Sequence, residues 1–332
     1  MKTKNPFWLL PLLATALYPL YIAHFIRAVA SFRESGNVLI AAWAAALMLL
    51  AMSVPFLALR ALMALRAVPA GNSTLIKGFL YVIFSVSPLF TLTVLLSREA
   101  GVAVAHDTIW MCAWAVLGLL LYFMNDSAPT PISGGMPVTR LRVIHGASAA
   151  ILLAGFLLLH IANHVAALWS TDLHVAVMEA TRSWYRLPAV EYSLFALLAL
   201  MLVTGAPMVL HYARREIDVY RMLQIATGVY IAVFLSAHLL SVLRARGRGV
   251  ETDWFFATGR EGLLNGTSML IPYYAYSILF FFIHIACGLR IVLLKHGVSH
   301  VRANTAVRFI ACSGALLATV ISLASLGFHL QG

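Results

Sequence analysis

The chain has 332 residues, of which 62% are hydrophobic and only 11% are charged, and its mean hydropathy is +0.90. Soluble domains usually contain about 25% charged residues, so this composition excludes a soluble globular protein and predicts a polytopic membrane protein. The net charge of +11 does not indicate nucleic-acid binding, because Lys and Arg stand in short clusters between apolar runs. That pattern is typical of loops that contact lipid headgroups.

The apolar runs predict nine membrane-spanning helices. A spanning helix needs about 20 mostly apolar residues. Nine segments meet this requirement: 7–30, 37–65, 74–97, 104–124, 142–168, 188–212, 218–243, 270–295 and 303–328. The first has no clear small-residue cleavage site, so we interpret it as a retained helix and not as a signal peptide. Pro11, Pro19, Pro55 and Pro88 predict bends or breaks in the first three spans.

The chain divides into two groups of helices. The stretch "NDSAPTPISGGMP" is rich in Pro, Gly and Ser and predicts a linker at 125–138. We therefore expect a four-helix membrane extension at 1–124, for which the sequence selects no role, and a five-helix membrane domain at 139–332. The mixed polarity of residues 171–188 predicts a short helix in the membrane interface, and 244–269 is expected to form a polar loop.

The distribution of positive charge predicts the orientation in the membrane. Fourteen of the 23 Lys and Arg residues fall on one side of the nine-span arrangement and nine on the other. Because cytoplasmic loops carry the excess of positive charge, we expect the N-terminus in the cytoplasm and the C-terminus outside a bacterial-type inner membrane.

Histidines are concentrated in the five C-terminal spans. Six of them lie there: His145, His160, His164, His211, His238 and His284. An ionisable side chain at membrane depth is costly and indicates a function. One such function is haem binding, which in a helical bundle needs two axial imidazoles from different helices.

The depth of the histidines predicts two cofactor levels. In the expected topology the fifth and seventh spans both run outward, and His160 and His238 are 18 and 20 residues from their starts. By helix rise both lie near the outer surface, at matching height. His284 is 14 residues into an inward-running span, so it lies deeper.

Three motifs resemble the five-helix, dihaem cytochrome b subunits of succinate dehydrogenase and fumarate reductase. The stretch "QIATGVYIAVFLSAH", 224–238, is similar to the family's helix with a Gln, a Thr-Gly and a ligand His. "FFFIHIACGLR", 280–290, resembles its His-x-x-x-Gly-Leu, and "HGASAAILLAGFLLLH", 145–160, resembles its first helix. The resemblance covers about 139–328, and residues 1–124 have no counterpart in the family.

The resemblance implies particular ligands. His160 and His238 would hold a distal haem b, and His284 would be one ligand of a proximal haem b. The partner of His284 would lie four residues before Gly205, where this chain has Met201. The resemblance therefore implies either a His/Met haem or a proximal haem that is lost or five-coordinate, which leaves one or two haems.

Two further histidines are secondary candidates. His164 lies on the same helix face as His160, so it is the rival ligand, or it could bond a haem propionate or a quinol, or face interfacial water. His145 is expected near a propionate or a quinone, or otherwise as an interface residue.

The predicted function is that of a membrane-anchor cytochrome b subunit. By resemblance, it would pass electrons between a quinone pool and a cytoplasmic iron–sulfur and flavoprotein partner, and the organic chemistry would take place on those subunits. One alternative is a stand-alone haem-binding electron carrier without a dehydrogenase partner. Another is a transporter with a histidine proton relay, which would need acidic partners at membrane depth that the spans hardly contain.

Overall fold

The computed structural model describes residues 6–66, 72–123, 138–260, 262–265 and 267–331. These ranges are mostly helical and contain no β-strand. After a short 3-10 helix at Pro6–Trp8, the α-helices are α1 (Leu9–Ala16), α2 (Tyr18–Ser35), α3 (Val38–Leu65), α4 (Asn72–Phe84), α5 (Val86–Glu99), α6 (His106–Phe123), α7 (Val138–Leu152), α8 (Leu158–Trp169), α9 (Thr171–Tyr185), α10 (Pro188–Ala213), α11 (Val219–Gly247), α12 (Trp254–Thr258), α13 (Leu270–Lys295) and α14 (His300–Ser325).

The spans coincide with the apolar segments of the sequence. A π-helical segment, Leu153–Leu157, joins α7 and α8 into one span, Val138–Trp169. In the described residues seven spans are long and apolar enough to cross a membrane: α3, α6, α7–α8, α10, α11, α13 and α14. The bent pairs α1–α2 and α4–α5 bring the number to nine if each counts as one span. The prediction of an all-helical, multi-pass membrane protein is confirmed.

Two of the predicted prolines lie beside breaks in helices. The pair α1–α2 bends by 47° at Leu17, and the pair α4–α5 bends by 76° at Ser85. Pro19 and Pro88 stand in the first turn after these breaks, where the missing N–H costs no helical hydrogen bond. By contrast, α3 runs through Pro55 without a break.

The N-terminal helices share one core with the helices that carry His238 and His284. Tyr18 and Phe84 lie in the same buried cluster as Tyr230 of α11 and Phe280 of α13. The Tyr230 hydroxyl is also within 3.1 Å of the Ser87 hydroxyl at the start of α5. The predicted linker lies outside the described residues except for its last position. The helices on its two sides are nevertheless packed together.

Ion pairs mark the two ends of the helices. At one end, which we call the Glu99 end, Glu99 accepts from Arg244 at 3.2 Å and from Arg248 at 2.7 Å. At the other, which we call the Asp218 end, Asp218 accepts from Arg290 at 3.2 Å.

The segment predicted as a short interfacial helix forms α9, which packs along α8 at the Glu99 end. The Ser170 hydroxyl caps it by accepting from the Leu173 N–H at 3.1 Å. Arg182 of α9 donates to Glu251 and to the Thr252 carbonyl, which fixes the segment leading into α12. The predicted loop at 244–269 therefore contains the last turn of α11 and the short helix α12.

Candidate functional site

Two histidines face each other between α8 and α11. The ring centroids of His160 and His238 are 6.2 Å apart, and the rings are steeply inclined to each other. Each ring is supported by a phenylalanine one turn earlier on its own helix. Phe156 stacks on His160 with centroids 5.1 Å apart, and Phe234 stacks on His238 at 5.5 Å. The two residues that the depth argument placed at one height thus lie side by side in the structure.

A second pair of histidines faces each other between α7 and α13. The ring centroids of His145 and His284 are 6.3 Å apart, with nearly the same inclination as in the first pair. The resemblance pointed to Met201 as the partner of His284, whereas the ring that faces His284 is that of His145. Met201 lies on α10 one turn before Gly205, beside the residues that contact His145.

Hydrogen bonds fix which nitrogen carries the proton in the second pair. The Nδ1 of His284 is 2.9 Å from the Gln224 carbonyl oxygen, which can only accept. The Nδ1 of His145 is 3.0 Å from the hydroxyl of Thr204, whose own proton goes to the Leu200 carbonyl at 2.6 Å. Both rings therefore donate through Nδ1, and both keep a lone pair on Nε2. Metal-binding histidines are typically held in this way by a second partner.

Two glycines make room for the His284 ring and for Gln224, and a third, Gly205, stands in ordinary contact with His145. A Cβ atom at Gly228 would lie 2.9 Å from the Cε1 atom of His284, which is closer than atoms of this kind approach. A Cβ at Gly288 would lie 3.2 Å from the Nε2 atom of Gln224, and one at Gly205 would meet His145 at 3.5 Å. Gln224, Gly228, His284 and Gly288 thus interlock across α11 and α13.

The two pairs lie at different levels along the helices. Helix α11 contacts both pairs. Gln224, whose carbonyl holds His284, and His238 are 14 residues apart on this helix. The His284 ring also lies against Gly228, 10 residues before His238, so by helix rise the two levels are about 15–21 Å apart. The His160/His238 pair is near the Glu99 end and the His145/His284 pair is near the Asp218 end. Both levels draw one histidine from the single span Val138–Trp169, with the π-helical segment between them. Such segments are frequent at functional sites.

His164 belongs to a larger cluster around the first pair. Its Nε2 is 3.3 Å from the Nε2 of His160, so one of these nitrogens donates and the other accepts. On its other side, His164 stacks on His174 of α9 with centroids 5.6 Å apart. Trp254 of α12 covers His174 at 4.7 Å. The structure therefore places His164 beside His160, while His160 is the ring facing His238.

Sequence reasoning missed His174 and Trp254 because both lie outside the apolar spans. The available signal was a histidine in the interfacial helix ten residues after His164. His174 is 2% exposed, and its Nδ1 lies 2.8 Å from the Asn163 carbonyl, to which it donates. Burial lowers the pKa of the His174 imidazole, which the hydrogen bond to this carbonyl partly offsets. The folded structure therefore favours the neutral form of His174.

A narrow crevice with a cavity volume of about 10 Å³, room for about one water molecule, lies beside His160, between α8 and α9. Phe156, His160, Asn163 and Tyr185 line it together with Leu159, Thr181 and Trp184. Asn163 is 6% exposed, and its Oδ1 atom has no hydrogen-bond partner in the described part of the chain. A buried amide oxygen without a partner is costly, so it is suited to accept a hydrogen bond from a ligand.

The spacing of both pairs fits axial ligation of one metal ion by two imidazoles. Ring centroids on opposite sides of one iron would be about 6 Å apart, since a metal–nitrogen bond is about 2 Å long and the nitrogen lies about 1 Å from its ring centroid. The observed 6.2 and 6.3 Å agree with this arrangement. In the described ranges, no group of three or more His, Cys, Asp or Glu side chains is arranged to hold a metal ion. A haem iron takes only two axial ligands from the protein.

Comparison with known proteins adds no relative. No protein-family model, curated protein or solved structure matches this chain.

Proposed function

We propose that the chain is a membrane cytochrome b with two haems. Helices α7–α8, α10, α11, α13 and α14 would form the five-helix haem-binding bundle, as in the cytochrome b subunits of succinate dehydrogenase and fumarate reductase. His160 and His238 would bind one haem iron, and His145 and His284 the other. Bound haem would supply one-electron transfer at each of two levels in the membrane.

The geometry of His145 and His284 carries this proposal. Their rings face each other at a spacing that suits one iron, and both Nδ1 atoms donate to fixed oxygens, so that both Nε2 atoms are available as ligands. Two half-buried histidines that served only packing would not need this combination. The first pair has the same spacing but a different surrounding, because the Nε2 of His160 also meets His164. His164 must move slightly if His160 binds iron.

The quinol would bind in the crevice at Asn163. A quinol is a flat aromatic ring with hydroxyl donors, and the crevice combines aromatic walls with one unpartnered amide oxygen. It borders His160, so the electron would have a short path to the first pair. The crevice has room for about one water molecule, so its walls would have to open to admit a quinol ring, and the lipid tail of the quinol would extend outside it.

The other redox partner would dock at the Asp218 end. Arg214 and Arg215 are exposed there, and Arg302 at the start of α14 is exposed as well. This end would face the cytoplasm, with the chain's N-terminus on the same side and its C-terminus outside, in a bacterial-type inner membrane. We propose an iron–sulfur protein with a flavoprotein subunit as the partner, so that the chain is a quinone-reactive subunit of an oxidoreductase complex.

The second candidate is a stand-alone electron carrier. It is favoured by the N-terminal helices, which cover part of the bundle. Tyr18 and Phe84 pack on α11 and α13, so this flank is closed by the chain itself. Both candidates require haem. They differ in whether iron–sulfur and flavoprotein subunits co-purify with the chain from its native membrane.

The test of haem binding is an absorption spectrum of the full chain purified in detergent, oxidised and reduced, with haem quantified per polypeptide. We expect two b haems per chain, one in His238→Ala and one in His284→Ala. His296→Ala is the matched control, because His296 is exposed at the end of the same helix as His284. A folded wild-type chain that takes up no supplied haem would contradict both cytochrome candidates.

A further inference from the structure

Two arginines stand one helical turn beyond the second histidine pair, toward the Asp218 end. Arg142 precedes His145 by three residues on α7. Arg221 precedes Gln224 by three residues on α11, and Gln224 provides the carbonyl that holds His284. Because the rings of His145 and His284 face each other, both arginines lie on the same side of the pair, about 5 Å further along the helices.

Neither guanidinium forms an ion pair with a carboxylate of the described residues. In the described residues, no carboxylate oxygen lies within the 4.0 Å of an ion pair to Arg142 or Arg221, and the six pairs found involve other cations. Arg221 donates to the Gln224 side-chain oxygen at 2.6 Å and lies over the Tyr212 ring at 4.7 Å. Arg142 donates to Thr139 at 3.2 Å, and its Nε atom is buried without a hydrogen-bond partner.

Arg290, by contrast, is already neutralised. It donates to Asp218 at 3.2 Å and to the Asn304 side chain at 2.7 Å, and it lies over the Tyr220 ring at 4.1 Å. Both oxygens of Asp218 are thus occupied, since the other one caps α11 by accepting from the Arg221 N–H at 2.7 Å. Two half-buried cations at one site, neither of them in an ion pair with a described carboxylate, favour an external anion.

We propose that Arg142 and Arg221 bind the propionate carboxylates of the haem held by His145 and His284. This inference rests on the proposed function. Guanidinium groups pair with carboxylates through two parallel hydrogen bonds, and the buried Nε of Arg142 is one of the donors for such a pair. The assignment orients this haem with its propionates toward the Asp218 end. An anionic phospholipid headgroup offers the same chemistry, so the test must separate the two.

The test compares haem with haem dimethyl ester, in which both propionate charges are removed. The full chain with His238→Ala, in which one pair remains, is prepared under haem limitation and titrated with each compound. We expect the ester to bind at least about tenfold more weakly than haem, as the loss of charge-assisted hydrogen bonds requires. With Arg142→Gln and Arg221→Gln added, haem and ester should bind alike. The control Arg302→Gln, an exposed arginine at the same end, should still prefer haem.

A second measurement uses the wild-type chain, so that the result does not depend on the folding of a multiple variant. Haem labelled with ¹³C at the propionate carboxyls is reduced, and the infrared difference spectrum is recorded. We expect the carboxylate bands to shift on replacement of either arginine and to stay in place for Arg302→Gln.

Three results would overturn the assignment. If the ester binds as tightly as haem while His284→Ala still abolishes binding, the arginines do not hold propionates, although the proposed function stands. If the arginine variants release a phospholipid and the preference for haem over ester is unchanged, the anion is a lipid. If neither compound gives a haem spectrum, the proposed function fails as well.

Discussion

The imidazole of His284 fills the space that a side chain at Gly228 would occupy. A Cβ atom there would lie 2.9 Å from the Cε1 and 3.2 Å from the Nδ1 of the ring. The Nδ1 is held by the Gln224 carbonyl, one turn before Gly228 on the same helix. The ring therefore cannot retreat without losing the hydrogen bond that orients its Nε2.

Gly228→Ala should displace His284 and remove one haem. Forcing a methyl group into a well-packed contact costs about 1–3 kcal/mol, so we expect both a lower free energy of unfolding and a loss of one of two haems per chain. Haem quantification and thermal unfolding in detergent measure these effects. Gly146→Ala is the matched control, since a Cβ at Gly146, beside His145, meets nothing within 4 Å. Equal haem content in the two variants would contradict the account.

Thr204→Val should raise the midpoint potential of the second haem. Thr204 accepts the Nδ1 proton of His145, which makes that ring a stronger donor to iron and favours the ferric state. Loss of such a partner typically weakens metal binding by about 10- to 100-fold. A redox titration of the purified chain measures the potential. Thr204→Ser keeps the hydroxyl and should restore the wild-type value, whereas a valine variant with unchanged potential and affinity would argue against ligation by His145.

Asn163→Leu should slow haem reduction by quinol. Asn163 lines the crevice and its buried Oδ1 has no partner in the described residues, so we expect this oxygen to accept from the quinol. A lost hydrogen bond in a buried site corresponds to about a tenfold loss of rate at limiting quinol. Stopped-flow spectroscopy of haem reduction measures it. Thr181→Val is the control within the same crevice, because the Thr181 hydroxyl already donates to helix carbonyls. A wild-type rate for Asn163→Leu would place the quinol elsewhere.

His174 should make the fold sensitive to acid. Burial lowers the pKa of its imidazole below the ordinary value of 6.5. Below about pH 6.5 the unfolded chain therefore binds a proton that the folded chain does not, and the free energy of unfolding falls by at most about 1.4 kcal/mol per pH unit for this group.

His174→Gln removes this titration. The drop in melting temperature between about pH 7.5 and about pH 5.5 should be smaller in the variant than in the wild type. The exposed His300 provides the control, and His300→Gln should leave the drop unchanged. An identical pH profile for His174→Gln and the wild type would show that His174 does not titrate differently on unfolding.

The first histidine pair could be predicted from the sequence because the depth of each histidine depends only on its distance along a helix. His160 and His238 lie at similar distances from the starts of spans that run in the same direction, and helix rise turns this into equal depth. The bends at Leu17 and Ser85 could be predicted for a similar reason, since Pro19 and Pro88 affect the helices in which they stand. Pro55 shows the limit of that reasoning, because α3 continues through it.

The second pair could not be predicted from the sequence because it depends on how the helices rotate and pack. His145 stands near the start of α7, and nothing in its neighbours along the chain shows that it faces α13. The spacing of Gln224, Gly228, His284 and Gly288 carried the resemblance, yet the reason for the glycines appears only when α11 and α13 lie in contact. The packing of Tyr18 and its neighbours on the bundle could likewise not be predicted, because the sequence of an apolar span is similar whether the span faces lipid or protein.

The identity of the ligand opposite His284 is the most direct test of this account. Near-infrared magnetic circular dichroism distinguishes bis-histidine from histidine–methionine ligation, and it can be recorded on the wild-type chain together with His145→Ala and Met201→Leu. We predict two bis-histidine b haems in the wild type and in Met201→Leu, and one in His145→Ala. A histidine–methionine signal that disappears in Met201→Leu, with haem content unchanged in His145→Ala, would contradict it.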